Sequence, residues 1–270
     1  MVAMRAQDVA HLPAGDDVSA LTARQARAME PLLAPDVQGA VWAPKEAQVD
    51  NRALGDALAL AVRRAGGKLL AHEPVVHIDV EGGRARAAIT PYKRVEADAF
   101  VLAAGAWSGT IAGLPPEAVP PVSPIKGEML ALVPPVAAAL PAHMVWGNGV
   151  YLVPRKGRLL IGATLSAAGF DTALTRAAED FLCDRALGLM PALRQWRIDE
   201  HWSGLRPGSP DGLPLLGPSA VEGLFVASGQ YRNGILFAPL VAEILTRSVL
   251  ERSSDITAFD PRRFGACTVA

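Results

Sequence analysis

The chain has 270 residues, half of them apolar, and 26 Lys and Arg against 27 Asp and Glu give a formal net charge of −1. That length is enough for a large core and two closely packed domains, and the balanced charge gives no electrostatic reason to expect a nucleic acid or acidic polymer as partner. Two cysteines, Cys183 and Cys267, are too few for a disulfide framework. Prolines break up the most apolar region (130–144), no run is long enough to span a bilayer, and the first residues lack a secretory apolar region, so a cytoplasmic protein is expected.

Residues 1–20 carry no strong periodic pattern and read as a ragged start. Ala, Met and Leu recur at helical spacing from Ala23 to Leu33, with Pro31 and Pro35 ending the run. A short strand over 37–44 precedes a helix over 51–65, capped by Asp50 and stopped by Gly66-Gly67. Leu54, Leu58, Ala61 and Val62 would give that helix one buried face. Strands are expected over 68–71, 75–80 and 85–90, the last two joined by the turn Glu81-Gly82-Gly83-Arg84. The segment 97–104 reads as a fully buried parallel strand whose end, at Ala104-Gly105, meets a ligand.

From Val122 the pattern changes. Strands over 125–132, 149–154 and 158–164 suggest an antiparallel layer, the last two joined by Arg155-Lys156-Gly157. An amphipathic helix over 172–189 would bury Leu174, Ala178, Phe181, Leu182 and Leu189, and a strand over 198–203 follows it. A last strand, 224–227, runs into an apolar helix over 236–250.

Two stretches near the C-terminus carry the chemistry. One is Gly204-Leu205-Arg206-Pro207-Gly208, continuing to Pro214; the other is Gly229-Gln230-Tyr231-Arg232-Asn233-Gly234-Ile235-Leu236. Each places an arginine within a Gly- and Pro-punctuated turn, where glycine lets backbone approach a ligand and proline fixes the loop beforehand. The strand–glycine loop–helix arrangement of the second aims free N–H groups and a helix dipole at an electron-rich ligand. Arg206 suits a small carboxylate, which a guanidinium grips with two parallel hydrogen bonds. Asp211 reads as turn chemistry, and His11, His72, His77, His143 and His201 stand in no metal-ligand spacing.

These two stretches resemble the C-terminal signature of the D-amino-acid-oxidase family of FAD-dependent oxidoreductases, most of all its thiamine-pathway glycine oxidases. Val49-Asp50-Asn51-Arg52-Ala53-Leu54 and Val101-Leu102-Ala103-Ala104-Gly105-Ala106-Trp107-Ser108 are weaker points of likeness. The resemblance implies a mixed α/β fold: a partial FAD-binding αβ domain over 44–121 and 204–250, and a mostly antiparallel substrate domain over 20–43 and 123–203, with 1–19 and 251–270 as tails. It implies FAD contacts at Ala104, Gly105, Trp107, Gly204, Arg206, Gly229, Tyr231, Arg232, Asn233, Gly234, Ile235 and Leu236. Catalytic roles fall to Arg206 and Tyr151, which would hold the substrate carboxylate, and to Arg232 as a second cation. The implied reaction is oxidative deamination of glycine or another small amino acid, with dioxygen as co-substrate and hydrogen peroxide, ammonia and a keto acid as products, in thiamine biosynthesis or amino-acid catabolism. The family also has a Gly-x-Gly-x-x-Gly unit for the dinucleotide, which is nowhere in this sequence. Three alternatives therefore stay open: a D-amino-acid or amine dehydrogenase, a non-catalytic remnant, and one subunit of a split flavoenzyme completed by a separate flavin-binding chain. Homo-oligomerisation is open as well. Sarcosine-oxidase-like chemistry is disfavoured, because neither Cys183 nor Cys267 is placed to attach a flavin.

Overall fold

A computed structural model describes residues 1–4, 17–251 and 257–265 of the chain. The polypeptide divides into two compact units. The first comprises Met1–Leu54, Gly127–Ser166 and Thr172–Gly204; the second comprises Gly55–Lys126, Ala167–Asp171 and Leu205–Ala270.

The first unit is built on an eight-stranded sheet. In chain order its strands are β1 (Val2–Met4), β2 (Ser19–Thr22), β3 (Gly39–Trp42), β8 (Ser123–Val133), β9 (Val145–Gly147), β10 (Val150–Arg155), β11 (Arg158–Gly162) and β12 (Arg197–Gly208), of which residues 123–126 and 205–208 fall within the second unit. Their order across the sheet is β12-β8-β11-β10-β9-β1-β3-β2. The hairpin of β10 and β11 pairs Leu152 with Ile161, and Leu130 of β8 lies opposite Ile161. Strand periodicity therefore turns all three to one face, where they are fully buried. Helix α3 (Arg176–Leu189) lays Leu182, Ala186 and Leu189 in the same core, and α1 (Ala23–Met29) adds Ala26. Thr175 starts α3, its hydroxyl accepting from the Ala178 amide, so the helix begins four residues later than periodicity suggested. That start selects Ala178, Leu182, Ala186 and Leu189 as the buried stripe and leaves Leu174 and Phe181 exposed, contrary to expectation.

The second unit holds two three-stranded sheets. One has the order β4 (His77–Glu81), β5 (Arg84–Ile89), β6 (Arg94–Glu96); the other has the order β13 (Leu215–Pro218), β14 (Leu224–Ser228), β7 (Phe100–Leu102). Gly82 and Gly83 both take positive φ, at 59° and 79°, which is the turn that joins β4 to β5 without splaying them. Ile78, Ala85, Leu102, Val221 and Leu224 form this unit's core. The second unit also carries α4 (Gly234–Glu251).

Several expectations change here. Helix α2 (Asn51–Arg64) begins where predicted, with the Asp50 carboxylate accepting from the amides of Arg52 and Ala53. None of its residues is buried, however, and Leu58 is 55% exposed. Residues 68–71 form no strand. β7 is three residues long rather than a buried run, with Val101 exposed between two inward neighbours. The supposed tails are also used: 2–4 pair with β3, and 257–265 form two short 3-10 turns against β13. Residues 44–54 belong to the first unit rather than with 55–121. Among the described residues, no helix is long and apolar enough to cross a membrane.

Candidate functional site

In the second unit β7 and β14 run parallel, with Phe100 beside Leu224 and Leu102 beside Val226, so the segments that follow them emerge at one end of the sheet. Both segments turn on a glycine of positive φ, Gly105 at 55° and Gly229 at 74°. A buried hydroxyl chain ties the turns together: Ser108 Oγ donates to Ser228 Oγ at 2.9 Å, and Ser228 Oγ donates to the Gly105 carbonyl at 3.0 Å. Gly229 is enclosed, since a Cβ there would meet Leu215 Cγ at 3.2 Å; Gly105 faces open space. The second turn continues through Tyr231, a non-glycine residue at φ 51°, and enters α4 at Gly234. The first-turn amides of this 18-residue helix have no intrahelical acceptor and point out of its N-terminus. Trp107, Ile235 and Leu236 are exposed beside these turns, and Asn233 accepts the first helical bond, from the Phe237 amide at 3.0 Å. Thus Ala104, Gly105, Trp107, Gly229, Tyr231, Arg232 and Asn233 lie on these two connected segments, and Gly234, Ile235 and Leu236 form the first turn of α4. Bare backbone, a helix N-terminus and exposed apolar side chains fit one side of a planar, electron-rich ligand such as a flavin.

Arg206 does not lie in a turn. It is part of β12, which continues to Gly208 as an edge strand of its sheet, a position where Pro207 breaks no ladder. The Pro207 carbonyl accepts from the Tyr231 amide at 3.0 Å, which fixes the arginine-bearing strand to the second glycine turn. The true turn comes after, at 209–214, and it is clamped by a residue that sequence reasoning missed. Arg263 donates from Nε to Asp211 Oδ2 at 2.8 Å and from Nη2 to Asp211 Oδ1 at 2.9 Å, with further bonds to the carbonyls of Leu213 and Pro214. The Arg263 hydrogen bonds hold the Asp211 carboxyl down at about 2, helped by the Leu213 amide and opposed by burial. Arg232 is exposed, its guanidinium 5.6 Å from the centre of the Tyr231 ring.

Tyr151 and Gly204 belong to the first unit. Tyr151 packs against Trp146, ring centres 5.0 Å apart, and Gly204 is exposed on β12. Two polar networks in this unit had no signal in local sequence. Glu128, nearly fully buried on β8, accepts from the Thr175 amide and hydroxyl, both at 2.9 Å, and lies 3.0 Å from His201 Nε2. Glu200 takes Arg52 and Arg158 together, and these hydrogen bonds, Arg52 first, lower its pKa. The Glu128 network braces β8, β12 and the start of α3, whereas the Glu200 network ties β12 to β11 and the start of α2, which accounts for Arg52 without a ligand. Cys183 lies in α3, its thiol pKa pushed up by burial and by neighbouring carboxylates, and Cys267 lies outside the described residues. Among the described residues no three His, Cys, Asp or Glu side chains gather as a metal site.

A sequence profile described as FAD dependent oxidoreductase (DAO) matches residues 2–248. The chain belongs to this family. It is 38% identical over 244 residues to the bifunctional protein ThiO/ThiG of Synechocystis, covering 88% of this chain and 36% of that protein. It is also 38% identical over 252 residues to the glycine oxidase of Geobacillus kaustophilus, covering 91% of this chain and 64% of the relative. The crystal structure of that glycine oxidase superposes with a TM-score of 0.82 at 37% identity, over 92% of this chain and 68% of the other. The chain therefore spans about a third of one curated relative and under two thirds of the other. The mixed α/β fold with antiparallel sheets expected from the sequence is the fold of these oxidoreductases.

Proposed function

We propose that the chain is the substrate-binding and flavin-ring-binding portion of an FAD-dependent glycine oxidase, acting on glycine or another small amino acid. The observation that carries this reading is the hydroxyl-linked pair of glycine turns at the ends of β7 and β14, followed by the α4 N-terminus and hydrogen-bonded to the strand of Arg206. Gly105, Gly229 and the first residues of α4 would hold the ring of FAD. Bound there, FAD supplies a two-electron acceptor that dioxygen can reoxidise, yielding hydrogen peroxide.

The protein's own contribution is binding and charge. Arg206 grips the substrate carboxylate as a planar cation that cannot lose its proton. Tyr151 is assigned a phenolic hydrogen bond to the same carboxylate on the family resemblance. Arg232, exposed beside the second turn, adds positive charge that favours an anionic substrate. An amine bound in its neutral form needs no general base, and the His201–Glu128 pair is already committed to the start of α3. The imine product hydrolyses in water to the keto acid and ammonia. The place of the reaction in thiamine biosynthesis belongs to the same proposal.

A visible absorption spectrum of the purified chain, before and after incubation with FAD and gel filtration, tests the reading. A retained flavin spectrum that glycine bleaches under anaerobic conditions is the expected result. Retained flavin that glycine leaves unbleached, but a D-amino acid or amine reduces, would favour the dehydrogenase alternative.

One observation favours a second reading, in which another polypeptide completes the flavin site. β7 is an edge strand, and its exposed Val101 borders an apolar cavity of about 640 Å³ lined also by Val75, Val76, Phe100, Trp107 and Ile111. An open parallel edge beside apolar surface is a template for one more strand. A chain that stays colourless alone and retains FAD only when a second polypeptide is added would establish this reading over the first.

A further inference from the structure

The first unit's sheet carries a row of residues on the face opposite its core. Val145, Leu152, Ile161 and Leu130 point into the core and are fully buried. Their sequence neighbours Trp146, Tyr151, Gly162 and Met129 occupy the other face. The register aligns them: Tyr151 lies opposite Trp146 on β9 and opposite Gly162 on β11. Because Ile161 lies opposite Leu130 on β8, Met129 falls opposite Gly162. Four adjacent strands thus present indole, phenol, bare backbone and thioether side by side.

The bare position decides where the phenol goes. The Tyr151 ring is tilted 40° against Trp146 on one side, and its Oη reaches across β11 to lie 3.6 Å from Met129 Sδ. It can cross only because residue 162 has no side chain. A Cβ there would come within 2.5 Å of Tyr151 Cε2, and closer still to Cζ and Oη. The obstructed atoms are the far end of a side chain, and Trp146, 46% exposed, has room to give way. A methyl group at 162 is therefore survivable for the fold but incompatible with the present position of the phenolic hydroxyl.

We propose that Gly162 is a positioning residue, whose missing side chain fixes the place from which the Tyr151 hydroxyl serves the substrate. The proposal rests on the reading of Tyr151 as a donor to the amino-acid carboxylate. It differs from a purely structural account, in which an aromatic ring merely shields a glycine across a sheet. Shielding predicts that an alanine at 162 changes stability and nothing else. Positioning predicts that it withdraws one hydrogen bond from the substrate and leaves the carboxylate to Arg206.

The test is a two-residue cycle of wild type, Gly162→Ala, Tyr151→Leu and the double variant, with two readouts. Near-ultraviolet circular dichroism of the purified chain reports the Trp146–Tyr151 ring pair and needs no flavin. The expected result is that Gly162→Ala removes the Tyr151-dependent part of the spectrum, and that adding it to Tyr151→Leu changes nothing further. With flavin loaded, Gly162→Ala should raise KM for glycine roughly tenfold, the value of one neutral hydrogen bond to a charged group, with kcat within about twofold. In the Tyr151→Leu background it should again add nothing. Gly162→Ala with the wild-type spectrum and KM, or with equal effects in both backgrounds, would overturn the proposal. If Gly162→Ala fails to fold, the double variant must fold as Tyr151→Leu does, and failure of that rescue also overturns it. A spectrum that obeys the cycle in a flavin-loaded wild type unable to turn over glycine would sink the oxidase reading and leave the control of Tyr151 by Gly162 standing.

Discussion

Removal of the Arg263 guanidinium should loosen the turn behind Arg206, with a pH signature that separates its ionic part from the rest. The pair with Asp211 holds that carboxyl at about 2 against an ordinary 3.8. A depression of nearly two units corresponds to at most about 2.5 kcal/mol between the protonation states. The Asp211 side chain is 33% exposed, so solvent screening brings the realistic ionic contribution to about 1 kcal/mol. The bonds from Arg263 to the carbonyls of Leu213 and Pro214 add about 1–2 kcal/mol that does not depend on pH in this range. Because the folded pKa lies below the unfolded one, the ionic part is complete above about pH 5 and is lost as pH falls through 2. At pH 7, Arg263→Ala should therefore melt about 4–12 °C below wild type, at roughly 2–4 °C per kcal/mol for a chain of this size. Thermal melts followed by circular dichroism at pH 7 and pH 2.5 measure both parts. The gap should narrow by about a third at the lower pH, and Asp211→Asn should remove the pH dependence of the gap. An unchanged gap at both pH values would refute the ionic assignment, and no gap at pH 7 would refute the clamp itself.

Three other substitutions probe the site. Arg206→Ala should cost about 1.5–3 kcal/mol of substrate binding, a roughly 10- to 150-fold rise in KM for glycine with flavin retained, measured by steady-state peroxide formation. Ser228→Ala strands the buried Ser108 hydroxyl and removes the donor to the Gly105 carbonyl, and urea titration should register a loss of about 1–3 kcal/mol. Gly229 and Gly234 should behave differently. Gly229→Ala forces a methyl-bearing residue to φ 74° against Leu215 and should lower folding stability by about 1–2 kcal/mol or more. Gly234, with ordinary φ and Gln230 Cβ no closer than 3.4 Å, should accept alanine with no loss of melting temperature, so that weakened FAD retention in a bulkier variant reports ligand contact.

What the sequence disclosed and what it hid follow from the range of the interactions concerned. Asp50 capping α2, the Gly82-Gly83 hairpin and the strand–turn–helix from β14 to α4 are decided within a few residues, and local chemistry alone predicts them. Arg206 was misjudged because proline and glycine in Leu205–Gly208 read as a turn, whereas an edge strand tolerates both, and only the sheet order shows that β12 is an edge. The apolar stripe on α2 is helical in period and still unburied, since periodicity states which face could be buried and not what packs on it. The site's supports were the least legible. Ser108 with Ser228, Asp211 with Arg263, and Tyr151 with Gly162 are pairs 120, 52 and 11 residues apart, and in each the weight falls on a residue that reads as ordinary alone. A glycine at the end of a strand or an arginine near the C-terminus carries no local mark of its partner. The candidate site residues announce themselves by composition, and the residues that hold them in place become visible only once the chain has folded.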